Sequence, residues 1–267
     1  MLIRFPGDGS LREPSGVSLL GGIRLVGSGW SLRAGPPSEI SRSHPVKHRL
    51  DTLNDRIQRT TLAAGRDLGS VRLLAVSKTQ PPDIIREAYA LGLRDFGENY
   101  LKEALDKQAQ LTDLDQLVWH FIGPLQSNKA RAVAEHFDWV HSVDRLDLAE
   151  RLSRHRPASR SELSVCLQVN ISGEASKRGV DPSQLEALAE AVDRLPMLKL
   201  RGLMTIPAAE PLDDDEAPFR QLRMLKESLT IPLDTLSMGM SQDLEAAIRQ
   251  GATWVRIGTA LFGPRKR

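Results

Sequence analysis

Three short runs in the chain carry side chains with chemistry to offer. Val71-Arg72-Leu73-Leu74-Ala75-Val76-Ser77-Lys78 is a mostly apolar run that stops at a lysine. An amine partly withdrawn from water loses some of its preference for the charged form, and the neutral amine attacks an aldehyde. The plainer alternatives are a lysine paired with a phosphate or carboxylate, or one whose ammonium reaches water from a strand end. Ser237-Met238-Gly239-Met240-Ser241 offers a tight turn at Gly239 and a hydroxyl at Ser241, followed by a helical pattern whose first N–H groups attract anions. Ser241 acting only as a helix cap would explain the same segment. Arg256-Ile257-Gly258-Thr259-Ala260 adds an arginine, a glycine where backbone can approach an anion, and the Thr259 hydroxyl.

The elements that must position these residues follow from hydrophobic periodicity. Strand-like segments occur at Val71–Val76, Leu93–Gly97, Val118–Ile122, Trp139–Ser142, Ser164–Asn170, Leu198–Thr205, Asp234–Met238 and Trp254–Ile257, eight in all. Helix-period segments start near Pro81, Tyr100, Ser127, Asp144, Asp181, Asp215 and Ser241, and Asp181-Pro182-Ser183 has a cap followed by a first-turn proline. One further helix precedes the first strand, with Val46, Leu50, Leu53, Ile57 and Leu62 close to one face and Gly65 as its stop. Strict alternation implies parallel strands with right-handed crossovers, and eight units close a (β/α)₈ TIM-type barrel. A doubly wound open sheet is the competing α/β fold. Residues 45–267 are expected to form this single domain. Residues 1–44, dense in Gly, Ser and Pro, are expected to be a disordered leader or the product of an upstream start codon. The apolar patch Val17–Val26 is broken by Arg24, which argues against a secretory signal, and Asp8, Glu13 and Glu39 are unusual in a transit peptide.

A closed barrel places its active site at the carboxyl ends of the strands, with phosphate commonly held after strands 7 and 8. Closure makes strand 1 the neighbour of strand 8, so Lys78 would face that phosphate site. Val255 and Ile257 are apolar and should face the helices, which turns Arg256 toward the barrel axis. A buried arginine needs a partner: an interior carboxylate such as Glu98, or the ring nitrogen of a bound pyridine. A Schiff-base lysine, a phosphate cradle and a ring-nitrogen partner are the parts of a pyridoxal 5′-phosphate (PLP) site.

The chain also resembles the pyridoxal phosphate homeostasis proteins, single-domain relatives of the alanine racemase barrel. The matching runs are Ala75-Val76-Ser77-Lys78-Thr79, Phe96-Gly97-Glu98-Asn99-Tyr100, Trp119-His120-Phe121-Ile122-Gly123, Leu125-Gln126-Ser127-Asn128-Lys129 and His141-Ser142-Val143-Asp144. Gln168-Val169-Asn170, Arg201-Gly202-Leu203-Met204, 236–241 and 255–263 follow in the same order, so the resemblance covers nearly everything from about residue 46 onward. It implies Lys78 as the Schiff-base lysine, Ser241, Gly258 and Thr259 on the phosphate, and Arg256 at the ring nitrogen. It further implies Asn99 near the ring hydroxyl and Met204 packed beside the cofactor. Two departures are residues 1–44, which have no counterpart, and a stretch between Phe219 and Leu236 that looks short.

The resemblance implies a protein that binds PLP reversibly and buffers or delivers it to PLP-dependent apo-enzymes without robust catalysis. An arginine at the ring nitrogen tends to keep it unprotonated and limits carbanion stabilisation. Racemases of this fold recruit a second base from an extra domain, and the chain ends about five residues after Phe262. Tyr89 and Tyr100 lack a spacing that marks an opposing base, while His120 and His141 are read as hydrogen-bonded structural residues. A weak PLP-dependent racemase or lyase and a class I aldolase-like barrel are the alternatives. The net charge of +2, from 36 basic and 34 acidic residues, predicts no nucleic-acid face. No apolar run reaches the roughly 18–20 residues of a membrane span. One cysteine, Cys166, excludes an internal disulfide and fits a cytoplasmic setting and a core position. No cluster has metal-ligand spacing. A monomer is expected, since no apolar stripe remains beyond the barrel helices.

Overall fold

The computed structural model describes residues 45–174, 177–207 and 214–264. The expectation of a disordered leader over 1–44 lies outside them. Eight strands alternate with helices: β1 (Arg72–Val76), β2 (Asp95–Glu98), β3 (Val118–Phe121), β4 (Trp139–Val143), β5 (Leu163–Gln168), β6 (Leu198–Met204), β7 (Thr235–Ser237) and β8 (Trp254–Ile257). They pair in parallel in sequence order, and β8 returns to β1 with Arg256 opposite Leu74 and Ile257 opposite Ala75. The closed barrel excludes the doubly wound sheet.

Helix α1 (Pro45–Ala63) precedes β1. Between the strands lie α2 (Pro82–Ala90), α3 (Leu101–Gln110), α4 (Ala130–His136), α5 (Leu146–His155), α6 (Leu185–Asp193), α7 (Ala217–Ser228) and α8 (Leu244–Arg249), with α9 (Thr259–Phe262) after β8. Asp181 does cap the turn before α6, its carboxylate accepting from Ser183 N–H at 2.8 Å. The expected face of α1 is corrected in its last turn. Val46, Leu50, Leu53, Ile57 and Thr61 are buried, whereas Leu62 is exposed. Spacings of three and four reach position 61, and the Thr61 hydroxyl is hidden by donating to Ile57 O at 2.7 Å. In the stretch before β7, α7 forms a 12-residue helix.

Two apolar layers follow from strand alternation. Outward residues such as Ala75, Phe96, Phe121, Val140 and Leu167 join the helix faces in the main core. Inward residues make two smaller clusters, Leu74–Val76–Ile122–Trp254 and Trp139–Cys166–Met204. Polar side chains fill the rest of the barrel interior: His120, His141, Ser237 and Arg256 are buried there.

Candidate active site at the carboxyl ends of the strands

Lys78 stands two residues past β1 and is half-buried. Its neighbours on both sides are pinned by α3. Lys107 Nζ donates to Ser77 O at 2.8 Å, and Glu103 Oε1 accepts from Thr79 N–H at 2.5 Å. Thr79 has φ +64°, a conformation that β-branched residues avoid, so this turn is held rather than relaxed. Lys107 is itself buried and completes its donor set with Glu98 Oε1 at 2.8 Å and Glu103 Oε1 at 2.5 Å. Burial pushes the Glu98 carboxyl above its ordinary range, while Lys107 and Ser77 pull it back.

Across the seam, β8 runs into Gly258 and Thr259. A Cβ on Gly258 would stand 3.3 Å from Val76 O and 3.5 Å from Val76 Cβ, so the glycine lets this backbone lie close to β1, two residues before Lys78. Thr259 is exposed at the start of α9. After β7, Gly239 has φ +91°, and a Cβ there would come within 2.5 Å of the Ala247 Cβ on α8. Ser241 lies in the turn that follows and is half-buried. The expectation that the helix begins at Ser241 is corrected: α8 starts at Leu244 behind Asp243, whose carboxylate accepts from Met240 N–H at 2.5 Å. Ser241 is therefore a turn residue and not the cap.

Arg256 turns into the barrel as strand alternation requires, and is 5% exposed. Its alternative partner is corrected. Glu98 is taken by Lys107, and among the described residues Arg256 touches no carboxylate. Its guanidinium donates to Ser237 O at 2.5 Å, Ser237 Oγ at 3.0 Å and Thr205 O at 2.8 Å, groups at the carboxyl ends of β7 and β6. Burial pulls its pKa down to about 10, which still leaves a cation at neutral pH. Three of five N–H donors are thus engaged, and among the described residues the charge has no direct counter-ion.

Asn99 follows β2 with its Oδ1 buried and unpartnered, as is Glu98 Oε2. Met204 ends β6 opposite Ser237 and is fully buried beside Trp139 and Cys166. The expected residues therefore gather at one mouth: Lys78, Asn99, Met204, Ser241, Arg256, Gly258 and Thr259 all lie at or just past strand carboxyl ends. Sequence reasoning missed Lys107 and Glu103, which hold the turn carrying Lys78, and Thr205 and Ser237, which hold Arg256. A lysine at i+4 from Glu103 was a visible signal for the first pair, but it reads as an ordinary helix surface pair.

These parts fit a phosphorylated pyridine aldehyde: an amine, a backbone cradle beside it, a buried donor cation and an unpartnered acceptor at Asn99. A family model described as "Alanine racemase, N-terminal domain" matches residues 49–266. The fold and the site thus define a barrel of the alanine racemase class. The pyridoxal phosphate homeostasis protein of Pseudomonas aeruginosa is 65% identical over 213 residues, covering 79% of this chain and 91% of that protein. Its counterpart in Escherichia coli K12 is 49% identical over 228 residues, covering 82% and 97%. PipY of Synechococcus elongatus, solved with PLP bound, is 43% identical with a TM-score of 0.72, covering 82% of this chain and all of PipY. The chain belongs to the pyridoxal phosphate homeostasis protein family. Alanine racemase from Corynebacterium glutamicum, at 18% identity and TM-score 0.58, shares the fold.

Proposed function

We propose that this protein binds PLP as a Schiff base on Lys78, and that it buffers the cofactor and hands it to PLP-dependent apo-enzymes without sustained turnover of amino acids. The observation that carries the reading is a half-buried lysine at the same barrel mouth as a buried arginine that, among the described residues, touches no carboxylate. The PLP-bound state of PipY and the names of the curated relatives support it. When bound, the cofactor supplies an aldehyde and a conjugated ring. Lys78 would hold that aldehyde through its amine. Ser241, Gly258 and Thr259 hold the phosphate, Asn99 accepts from the ring hydroxyl, Met204 lines the inner wall, and Arg256 donates to the ring nitrogen.

Such an arginine disfavours a protonated ring nitrogen, which limits the ring as an electron sink. A second base is also lacking from the histidines, because both ring nitrogens of His120 and of His141 are engaged in hydrogen bonds inside the barrel. Among the described residues no helix is long and apolar enough to cross a membrane, in keeping with a cytoplasmic carrier. The test is the visible spectrum of wild type and Lys78→Ala before and after borohydride, with peptide mapping. A yellow wild type labelled at Lys78 beside a colourless variant is expected, together with transfer of cofactor to an apo-enzyme. Sustained α-proton exchange of an amino acid in deuterated water, lost in Lys78→Ala, would replace carriage with racemase or lyase chemistry.

A further inference from the structure

A chain of side-chain hydrogen bonds crosses the barrel interior from foot to mouth. Asp95, the first residue of β2, meets Arg72 at 3.2 Å and His120 Nε2 at 3.1 Å. His120 Nδ1 meets His141 Nε2 at 3.0 Å, and His141 Nδ1 meets Ser237 Oγ at 2.8 Å. Ser237 Oγ then accepts from Arg256 Nη1 at 3.0 Å. His120, His141 and Ser237 are each 0% exposed. His120 is stacked on Trp139 with centroids 5.5 Å apart and meets the edge of Trp254 at 5.1 Å, so its ring plane is fixed by packing.

The two ends set the direction of every bond between them. An arginine can only donate, and a carboxylate paired with Arg72 accepts. Because Ser237 Oγ accepts from Arg256, its single proton is free to go to His141 Nδ1. His141 then carries its proton on Nε2 and donates to His120 Nδ1, and His120 donates from Nε2 to Asp95. Both rings are neutral in this arrangement, in agreement with burial, which lowers the pKa of each; the positive charge of Arg256 adds to the effect at His141. No donor meets a donor anywhere along the line.

We propose that Asp95, His120, His141 and Ser237 form a one-way donor relay that positions the Arg256 guanidinium, and that Ser237 and His141 thereby select for an acceptor nitrogen in the bound ring. The inference rests on the reading of Arg256 as the ring-nitrogen partner, and it adds residues that never touch the ligand. With Ser237 Oγ committed to His141, Nη1 is held between the Ser237 carbonyl and hydroxyl and Nη2 is held by Thr205. The guanidinium cannot swing, and it offers its remaining donors and its charge to the ligand. A ring nitrogen that carried a proton would meet a donor and a cation there.

Two measurements test the relay. The first is nitrogen NMR of the apo-protein with ring-labelled histidine at pH 7, the two interior signals being assigned by their loss in His120→Gln and His141→Gln. Both rings are expected to be neutral with Nδ1 bare and Nε2 protonated. An Nδ1–H tautomer or an imidazolium at either position would overturn the relay, whether or not cofactor binds. The second is binding of PLP and of its analogue with carbon in place of the ring nitrogen, in wild type and in Ser237→Ala. Ser237→Ala should weaken PLP about tenfold, the equivalent of about 1.4 kcal/mol, while Lys78 is still labelled by borohydride and analogue binding is unchanged. Equal weakening of both ligands, or no weakening of either, would overturn the positioning role. A wild type that takes up no PLP at Lys78 would sink the cofactor reading instead, leaving the histidine tautomers to decide the relay.

Discussion

Two buried cations flank the candidate site, and they are neutralised in different ways. Lys107, 5% exposed at its side chain, sits directly against the carboxylates of Glu98 and Glu103. Arg256 is equally buried but among the described residues is met by carbonyls and a hydroxyl alone, and its chain of polar contacts reaches a carboxylate, Asp95, after Ser237, His141 and His120. Lys107 has nothing left to offer a ligand; it is a clamp that fixes the turn carrying Lys78. Arg256 keeps unspent donors and charge. A cation paired inside the protein builds a site, whereas one left partly unpaired recognises something from outside.

The largest expected effect is on the clamp. Lys107→Met leaves Glu98 buried without its cation, and breaking such a pair costs about 3–5 kcal/mol. Urea denaturation should show a loss of that size, with much of it recovered in Lys107→Met/Glu98→Gln. A cost below about 1 kcal/mol would mean the cluster is solvated and the contrast with Arg256 is false.

Acid titration separates the two regions by sign. His120 and His141 have folded pKa values lowered by burial, so they contribute stability that is present above their unfolded value of 6.5 and is lost as pH falls below it. Each unfolded ring takes up a proton as pH falls through that value while its folded counterpart resists, so the two losses add. Glu98 works the other way: its raised folded pKa favours folding at low pH, and that contribution fades as pH rises above the ordinary 4.5. Apo-protein stability should therefore fall as pH drops below 6.5, and less steeply in His141→Leu. A flat profile would show that the interior histidines take up protons freely.

Arg256→Met leaves no orphaned carboxylate, only the carbonyls of Ser237 and Thr205 and the Ser237 hydroxyl oxygen without their donor. Its stability cost should be about 1–3 kcal/mol, smaller than at Lys107 despite equal burial. The smallest effect concerns Cys166, fully buried beside Trp139 and Met204, whose thiol is pushed up by burial. Native protein should resist thiol reagents over hours, and reaction at the rate of a free thiol would mean that the barrel interior opens.

Much of this architecture was legible in the chain. The expected run Trp254–Ile257 is β8 itself, and the other seven expected strands overlap the observed ones with ends shifted by up to two residues. Apolar runs between turn signals locate strands well because every strand of a parallel barrel is buried on both faces. Lys78 was legible as the residue where such a run stops, and Arg256 as the odd member of Val255-Arg256-Ile257. Leu62 was misread because hydrophobicity was taken as burial where helix geometry assigns the face to Thr61. Ser241 was misread as a helix start because the turn before α8 is longer than a hydroxyl followed by an apolar pattern suggests.

By itself, then, the sequence determined the local matters: which segments are strands, which face each side chain takes, and which residues fall at the strand ends. Those follow from periodicities of two and of 3.6 residues and from turn chemistry, all within a few positions. Only the tertiary structure decided the partners. Ser237 meets His141 across 96 residues of chain, and His120 meets Asp95 across 25. Glu98 goes to Lys107, nine residues away, rather than to Arg256. Such pairings depend on barrel closure and on the stagger between strands, which place distant inward residues at one height and which no local pattern encodes.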